Sequence, residues 1–493
     1  MGGEELNKVK AIVCITNNVV SDGRVKRVIK TASEVTDQTD VICFPIPNNE
    51  FGIDLPNVKP FFVDVDLNNS TVFEEYKKCL EDLEIKNDLL KVCPFLGKEV
   101  YYSDTLGKTY EDWLKIRIGG SRWKEIRSHI PEETGYADGM SYITVALVRM
   151  VMMAKEVSNH PADVIYCNDL DTLLCGVIHK RKYGSRLIYD IHDFAYDISP
   201  GVFPRLYSYM LALLENTFIK EADELISLAP AILSWIKRFH GVNTHSIAIP
   251  NSVELYRREG IKVKHFDEKR PLRVYFHGLA NKARNLHLLI EAAKDVDEIE
   301  LVIRTGENDY VSQLREQIKN LGIEKRVKIV DMVSYDEAIK AANLDGDIGI
   351  YASSPDNCLN WKYAYTVKFF EYLAAGLPII TADAVNQSAI VKKYDCGFIL
   401  EDCSVDSIKA AYREVLIKRN ELEKKSENSL RATEEVLNWE IHERALKNAF
   451  IVDNMTKLSY NTVISMNGCI WNVQDFINKI KGMKLERKLL EHD

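Results

Sequence analysis

The sequence predicts an α/β protein made of two doubly wound parallel-sheet units, and three observations carry this prediction. Short apolar runs, typical of buried parallel strands, recur through the chain and alternate with segments of helical spacing. With 493 residues, the chain is long enough for two or three domains of about 150 residues each. A charged stretch at residues 256–270 lacks apolar periodicity and indicates a linker between two series of strands.

The composition is that of an ordinary globular protein, with 46% hydrophobic and 28% charged residues. A net charge of −9 argues against a general nucleic-acid binder, because a phosphate backbone repels an acidic surface. The ten cysteines include no Cys-x-x-Cys pair, so we interpret them as buried side chains in a reducing compartment. The N-terminus lacks a long apolar segment, which favours a cytoplasmic protein, and the apolar run 142–154 predicts a buried helix.

The first unit is expected to span residues 1–255. Its predicted strands lie at residues 10–16, 39–44, 162–168, 185–192 and 222–229. Residues 65–140 do not follow this alternation of strands and helices; they form a charged, aromatic segment that we interpret as an insertion. A solvated helical face is favoured there over a basic surface for a membrane or a polymeric acceptor. The reason is that Glu111, Asp112 and Glu125 interleave with the cations.

The second unit is expected to span residues 271–432, and two such units normally bind ligands in the cleft between them. Its predicted strands lie at residues 271–278, 299–306, 326–331, 346–353, 377–383 and 397–402. Residues 433–493 are predicted to form helices, the last of which is a candidate basic amphipathic helix.

Common phosphate-binding and metal-binding patterns give no support for a nucleotidase, a dehydrogenase or a metal site. The sequence has no P-loop, and no Gly-x-Gly-x-x-Gly follows the first strand. Asp-x-Asp pairs occur at four places, so this pattern does not discriminate, and we expect no metal at any of them.

The loop after the predicted strand 271–278 has the chemistry of an anion site. Gly278 ends the strand, Lys282 and Arg284 follow it, and a segment of helical spacing comes next. Cationic groups beside a helix N-terminus favour an anion by charge and by geometry. Cations are also common before helices that bind nothing, so a purely structural role stays open.

The segment TVKFFEYLAAG holds the second candidate site. Lys368 and Glu371 lie in an apolar helix that is predicted to end at Gly376. A carboxylate in such a helix needs a partner, for example a pair of vicinal hydroxyls. A salt bridge from Glu371 to Lys368, three residues earlier, is an equally weighted alternative.

Together these segments resemble retaining GT-B glycosyltransferases of the family-4 type, a large family that includes relatives of sucrose and glycogen synthases. The resemblance extends over most of the chain. Its motifs are SDGRVKRVIK, DVIYCNDLDTLLCGVI, LIYDIHDF, IPNSVE, FHGLANKARNLHLLIEA, VKIVDMVSYDEAIKAANLDGDIGIYAS, TVKFFEYLAAGLPIITAD and GFILED. It implies two Rossmann-like domains facing a central cleft. It also implies transfer of a sugar from a nucleotide-sugar donor, with retention of configuration and without a metal or other cofactor.

The resemblance implies roles for individual residues. The candidate catalytic residues are Arg284, which would clamp the donor diphosphate, Glu371, which would bind the donor ribose, and His192, which would face the transferred sugar. Asp169 joins His192 on the acceptor side. The other donor-binding candidates are Gly23, Gly278, Lys282, Met332, Val333, Tyr365, Thr366, Val367 and Lys368. Trp439 resembles the residue of the final helix that crosses back to the first domain.

Two positions depart from the family pattern. Tyr363 stands where a second glutamate is common, and Leu279 stands where arginine is frequent. Lys282 is a candidate substitute for the missing cation, and Asp356 or Asn357 for the missing sugar contact. A non-catalytic GT-B-like subunit that binds a partner or glycan is one alternative. A sugar-nucleotide epimerase is another, although it needs an acid and a base carboxylate that the sequence does not identify.

The expected partners follow from the family. They are a nucleotide sugar and a glycan, lipid-linked or small-molecule acceptor, with polysaccharide or glycoconjugate synthesis as the role. A cytoplasmic location is expected, and peripheral membrane contact stays open.

Overall fold

The computed structural model describes residues 9–16, 22–45, 51–67, 69, 71–94, 96, 104–118, 136–198, 204–267, 269–451, 464–466 and 469–471. The chain divides into two compact units. The first comprises residues 1–249, 443–464 and 471–493, and the second comprises residues 250–442 and 465–470.

The first unit contains a seven-stranded parallel sheet. Its strands are β1 (Lys10–Ile15), β2 (Gln38–Cys43), β3 (Val58–Phe62), β4 (Val164–Asn168), β5 (Arg186–Ile191), β6 (Glu224–Ser227) and β7 (His245–Ala248). They are arranged in the order β3-β2-β1-β4-β5-β6-β7. The helices are α1 (Gly23–Val35), α2 (Val72–Asp82), α3 (Lys86–Leu90), α4 (Asp104–Ile118), α5 (Tyr136–Val157), α6 (Leu170–Tyr183), α7 (Arg205–Phe218) and α8 (Pro230–His240).

The second unit contains a six-stranded parallel sheet. Its strands are β8 (Leu272–His277), β9 (Ile299–Arg304), β10 (Val327–Val330), β11 (Ile348–Tyr351), β12 (Ile379–Thr381) and β13 (Gly397–Ile399). They are arranged in the order β10-β9-β8-β11-β12-β13. The helices are α9 (Leu286–Lys294), α10 (Asp309–Leu321), α11 (Ala338–Asp345), α12 (Leu359–Tyr363), α13 (Val367–Ala374), α14 (Val385–Tyr394), α15 (Val405–Ile417) and α16 (Leu422–Glu435).

Two further elements follow these helices. Helix α17 (Trp439–Phe450) begins in the second unit and ends among residues assigned to the first. Its first residue, Trp439, is buried and donates its backbone N–H to the Val253 oxygen at 2.9 Å. A short strand pair, β14 (Ile464–Met466) and β15 (Cys469–Trp471), comes last. The basic helix predicted after Trp471 lies outside the described residues.

Both sheets are doubly wound, because the strand order reverses once in each of them. The reversal falls between β1 and β4 in the first sheet and between β8 and β11 in the second. Strand β8 shows why the second sheet is buried on both faces. Val274 and Phe276 belong to one hydrophobic cluster, whereas Tyr275 belongs to another, as expected for side chains that alternate across a strand.

The α/β class and the two parallel sheets are confirmed, and the strands predicted from apolar runs are all present. Helices were predicted where the strand pair β14 and β15 lies, and the sequence did not predict β3 and β7, which lie at the two edges of the first sheet. An edge strand needs less apolar character than a central one, and it tolerates proline, here Pro60. Neither strand therefore presents the continuous apolar run that marks β1 or β4.

Helix α5 confirms the buried helix predicted from residues 142–154. Ile143, Leu147 and Val151 are almost fully buried along it. In the part of the chain that the structure describes, no helix has the length and apolar character needed to cross a membrane.

The charged stretch after residue 255 contains a deeply buried side chain. A 3-10 turn spans Leu255–Arg258, and Arg257 within it is only 2% exposed. Composition indicated a solvated linker here, because arginine is rarely buried without partners. The partners of Arg257 belong to the candidate site described next.

Candidate functional site

In the second unit, the predicted donor-binding residues Gly278 and Arg284 lie at the carboxyl ends of β8 and β11. Ligands of open parallel sheets bind where the strand order reverses, which in this unit is between these two strands. Gly278 follows β8 directly with φ of +116°. Arg284 lies in the next turn and donates from Nη1 to the hydroxyl of Tyr351, the last residue of β11. Gly278 and Arg284 are therefore both placed at the switch point.

Arg284 is held by aromatic rings. Its guanidinium carbon lies 5.4 Å from the centre of the Tyr351 ring and 5.9 Å from that of Trp361. Its Nε is buried and has no hydrogen-bond partner among the described atoms. Over the same residues no carboxylate forms an ion pair with Arg284. A fixed guanidinium without a carboxylate partner is well suited to bind an anion.

Lys368 projects from α13 towards Gly278. A β-carbon placed on Gly278 would lie 2.4 Å from Lys368 Cε and 2.8 Å from its Nζ. Burial and the charge of Arg284 lower the pKa of Lys368 to about 8, while Glu371 opposes this shift. The site thus holds two cations whose mutual repulsion a bound anion would relieve.

Glu371 is 6% exposed on the same helix and has two basic partners. Its Oε1 accepts a hydrogen bond from Arg257 Nη2 at 3.0 Å, and its Oε2 accepts one from His277 Nε2 at 2.9 Å. Burial would raise the pKa of Glu371, but His277 and Arg257 outweigh burial and lower it, so the carboxylate is ionised. The alternative of a salt bridge to Lys368 is wrong, because the ion pairs of Glu371 among the described residues are to Arg257 and His277.

The remaining donor-side candidates surround this centre. Thr366 is the N-cap of α13 but makes no side-chain capping hydrogen bond, so the first N–H groups of the helix are left for water or a ligand. Tyr365 precedes Thr366, and its ring stacks on that of Phe369, with the two ring centres 6.0 Å apart. Val367 begins the helix and is exposed.

Three other candidates lie in loops. Met332 and Val333 lie in the segment after β10, where Met332 is 53% exposed. Lys282 is exposed in the turn that contains Arg284. Leu279 is 65% exposed.

In the first unit, the structure brings His192 and Asp169 together at the carboxyl ends of β5 and β4. Asp169 Oδ1 accepts the His192 backbone N–H at 3.2 Å, and its Oδ2 lies 3.3 Å from His192 Nδ1. Asp169 has φ of +72°, a conformation that is costly for a residue with a β-carbon. A strained residue that orients a histidine is a candidate for function.

A buried charge network on the other side of His192 was not predicted. His192 Nε2 pairs with Asp190 Oδ2 at 2.8 Å. Arg24 holds both oxygens of Asp190 through Nε and Nη2, each at 2.8 Å, and Tyr166 also donates to Oδ2. Arg24 Nε also lies 3.0 Å from His192 Nε2, to which it is oriented to donate. Gly23, a predicted site residue, begins α1 one position before Arg24.

This network fixes the protonation of His192. Burial opposes a charge on the ring, but Asp169 and Asp190 outweigh burial and raise the pKa of His192 to about 9. Burial would likewise raise the pKa of Asp190, yet Arg24 and His192 hold it well below its usual range. Burial raises the pKa of Asp169 to about 7, although His192 opposes this. Asp169 and Asp190 therefore favour the protonated form of His192 at neutral pH.

Several residues of the site were not predicted from the sequence, and sequence patterns could have indicated two of them, Arg24 and His277. Arg24 precedes Val28 by four residues and so lies on the buried face of α1, where an arginine needs a partner. His277 shares a face of β8 with Tyr275. No comparable pattern marks Arg257, because its partners come from distant parts of the chain.

The model of the family described as glycosyl transferases group 1 matches residues 257–432. The matched residues all lie in the second unit. They include the predicted donor-binding residues from Gly278 to Glu371, and also Arg257.

A relative and three solved structures extend the comparison. The alpha-monoglucosyldiacylglycerol synthase of Streptococcus pneumoniae (strain ATCC BAA-255 / R6) is 23% identical over 308 residues, which cover 58% of this chain and 64% of the relative. The match thus spans less than two thirds of that relative's length.

Three solved structures share the fold of this chain. Sucrose-phosphate synthase from Thermosynechococcus elongatus has a TM-score of 0.60 at 11% identity, covering 90% of this chain and 98% of its own. A glycosyltransferase from Rickettsia africae has a TM-score of 0.59 at 10% identity, covering 90% and 98%. Anabaena HepE in complex with UDP has a TM-score of 0.57 at 15% identity, covering 89% and 99%. The predicted GT-B fold is confirmed.

Proposed function

We propose that this protein is an enzyme that transfers a sugar from a nucleotide-sugar donor to an acceptor hydroxyl, and that its second unit binds the donor. One observation carries the proposal: Lys368 lies against Gly278 at the end of β8, Arg284 follows in the next turn, and Glu371 lies on the same helix as Lys368. A nucleoside diphosphate offers the complementary groups, because its phosphates suit the two cations and its ribose hydroxyls suit an ionised carboxylate. Anabaena HepE, which has this fold, was solved with UDP and with UDP-glucose.

The two cations would stabilise the leaving group. When the bond between the anomeric carbon and the phosphate oxygen breaks, its electron pair moves to the diphosphate. Arg284, Lys368 and the N-terminus of α13 are placed to stabilise that charge, so we propose a metal-independent reaction. Lys368, which lies against Gly278, replaces the cation that is missing at Leu279. Lys282, the substitute proposed from the sequence, is exposed in its turn.

Retention of configuration is part of the proposal. The acceptor oxygen forms its bond to the anomeric carbon on the face that the phosphate leaves, and the acceptor proton passes to the released phosphate oxygen. Asp169 and Asp190 raise the pKa of His192 to about 9, which disfavours it as the acceptor of that proton at neutral pH. We therefore assign His192 and Asp169 to hydrogen bonding on the acceptor side, with the phosphate oxygen as the base.

The acceptor is proposed to be a glycan or a lipid-linked or small molecule, in cytoplasmic synthesis of a polysaccharide or glycoconjugate. The name of the pneumococcal relative denotes a synthase of a glucosylated diacylglycerol. This relative supports a lipid-type acceptor, and with it peripheral membrane contact.

Donor turnover tests the proposal. The protein is incubated in EDTA with UDP-, GDP-, ADP- and dTDP-sugars, with and without candidate acceptors, and the released nucleoside diphosphate is measured. We expect release from at least one donor, an unchanged anomeric configuration in the product, and a loss of about 100-fold in kcat/KM for Arg284→Ala.

Other outcomes identify the alternatives. Nucleotide binding without turnover on any acceptor indicates a non-catalytic subunit, which the departures at Tyr363 and Leu279 favour. Conversion of the donor sugar without acceptor indicates an epimerase. A protein that neither binds nor turns over any of these donors contradicts the proposal.

A further inference from the structure

Arg257 connects two parts of the second unit that are distant in the sequence. Its Nη2 donates to Glu371 Oε1 at 3.0 Å and also to the backbone oxygen of Tyr335. Its guanidinium carbon lies 3.5 Å from the centre of the Tyr335 ring, so the guanidinium lies over the ring face. One side chain thus ties the carboxylate of α13 to the loop after β10, which we call the β10 loop (residues 331–337).

The burial of Arg257 calls for an explanation beyond packing. The side chain is almost fully buried, yet its Nε and Nη1 have no hydrogen-bond partner among the described atoms. The carboxylate of Glu254 lies 3.9 Å from Nη1, which is beyond hydrogen-bond distance. A buried guanidinium with incomplete hydrogen bonding is costly, and a position that retains one is a candidate for a functional role.

The β10 loop depends on Arg257 and its neighbours for its position. Arg304 donates to the Asp331 oxygen at the start of the loop. At the other end, the Tyr335 hydroxyl donates to Glu254 at 3.1 Å, and Tyr335 rests on Arg257. Between these points Met332 is exposed, and Tyr335 is 44% exposed. The loop is therefore an exposed rim fixed at its two ends.

We propose that Arg257 is a positioning residue that sets which nucleoside the donor site accepts. The inference rests on the proposed function, in which Glu371 faces the ribose, and on the family resemblance, which implies that residues 331–334 of the β10 loop flank the base. Because the Arg257 guanidinium is bonded both to Glu371 and to the β10 loop, it fixes the distance between the carboxylate and the loop. Over the described residues Arg257 contacts neither Arg284 nor Lys368, so the affinity for the diphosphate part does not depend on it.

Binding measurements on Arg257→Lys test this role, with Arg258→Lys as the matched control. Arg258 is the next residue and pairs with Glu434, which is exposed on the surface. Calorimetry gives Kd values for UDP, GDP, ADP, dTDP and inorganic pyrophosphate. In R257K the affinity for the preferred nucleoside diphosphate is expected to fall about tenfold or more, as for the loss of a charge-assisted hydrogen bond. The Kd values of R257K for the four nucleoside diphosphates should differ less from one another than those of the wild type, while its Kd for pyrophosphate should be unchanged. R258K should bind all five ligands with the Kd values of the wild type.

Two results would overturn the inference. One is an R257K protein that discriminates between bases as the wild type does. The other is an R257K protein, with a normal melting curve, that loses pyrophosphate and nucleotides together, because that result indicates general damage to the site.

A second variant covers the case in which R257K does not fold. Tyr335→Leu removes the ring that Arg257 contacts while changing a partly exposed position. In this variant the Kd values for the four nucleoside diphosphates should differ less from one another, while the Kd for pyrophosphate should stay the same. If the Kd values differ as much as in the wild type, the inference is again overturned. A wild-type protein that binds none of the four nucleotides contradicts the proposed donor site itself, and this outcome is seen without any variant.

Discussion

Lys368 occupies the space that a side chain at Gly278 would need. A β-carbon on Gly278 would lie 2.4 Å from Lys368 Cε, and Gly278 has φ of +116°, which residues with a β-carbon rarely adopt. The next residue, Leu279, is largely exposed. The cation that lies against Gly278 therefore comes from α13, in addition to Arg284 in the turn that follows β8.

Gly278→Ala is expected to displace Lys368 and to weaken nucleotide binding. The unfavourable φ and the clash together should lower the free energy of unfolding by about 1–3 kcal/mol. Gly322→Ala is the matched control, because Gly322 also has a positive φ, +66°, but has no atom within 4 Å of the added β-carbon. Urea denaturation and nucleotide calorimetry make the comparison. If G278A binds nucleoside diphosphates as tightly as G322A does, the placement of Lys368 in the phosphate site is refuted.

The affinity for nucleoside diphosphates should fall as the pH rises through about 8, the pKa of Lys368. The pKa is depressed, so Lys368 loses its charge at a lower pH than an ordinary lysine and then no longer attracts phosphate. Lys368→Arg keeps its charge over this range, and its affinity should stay level from pH 7 to about 9. Calorimetry on both proteins with the same ligand cancels the titration of the ligand. If the affinity of the wild type and that of Lys368→Arg change equally with pH, Lys368 does not contact the phosphates.

Apolar runs and a few cations predicted much of the fold and part of the site. The central strands are buried on both faces and must be continuously apolar, which makes β1, β4 and β8 visible in the sequence. Arg284 and Lys368 were found because each lies a few residues from a strand end or a helix start.

The partners of the charged residues could not be predicted, because they depend on long-range contacts. Glu371 and Arg257 are 114 residues apart, and Arg24 and Asp190 are 166 apart. No local pattern relates such residues, and an arginine in a polar stretch has the same composition whether it is buried or solvated. The edge strand β3 was missed for a different reason, since its exposed face permits polar residues and Pro60.

His192 should titrate near pH 9 in the free protein, well above the value of about 6.5 for an ordinary histidine. The folded state binds this proton more tightly than the unfolded chain. The resulting stability is complete below about pH 6.5 and is lost as the pH rises through about 9. NMR of the imidazole ring, assigned with His192→Asn, measures the pKa directly. Titration near 6.5 would make His192 available as a base and would contradict the role assigned to it.

Asp190→Asn should be strongly destabilising, because it leaves Arg24 buried without its carboxylate. Breaking a buried ion pair in this way costs about 3–5 kcal/mol of unfolding free energy. The variant should also lower the pKa of His192. Replacing both partners, as in Arg24→Met with Asp190→Asn, should recover part of the lost stability, and chemical denaturation of the single and double variants gives the coupling. If the losses of unfolding free energy in the two single variants add up to the loss in the double variant, Arg24 and Asp190 do not act as a pair.

A crystal structure of the protein with the nucleoside diphosphate that binds best is the decisive test of the proposed donor site. We expect phosphate oxygens in hydrogen-bond contact with Arg284 and Lys368, and ribose hydroxyls in hydrogen-bond contact with the carboxylate of Glu371. A nucleotide bound elsewhere in the chain, or one whose phosphates point away from both cations, would contradict it.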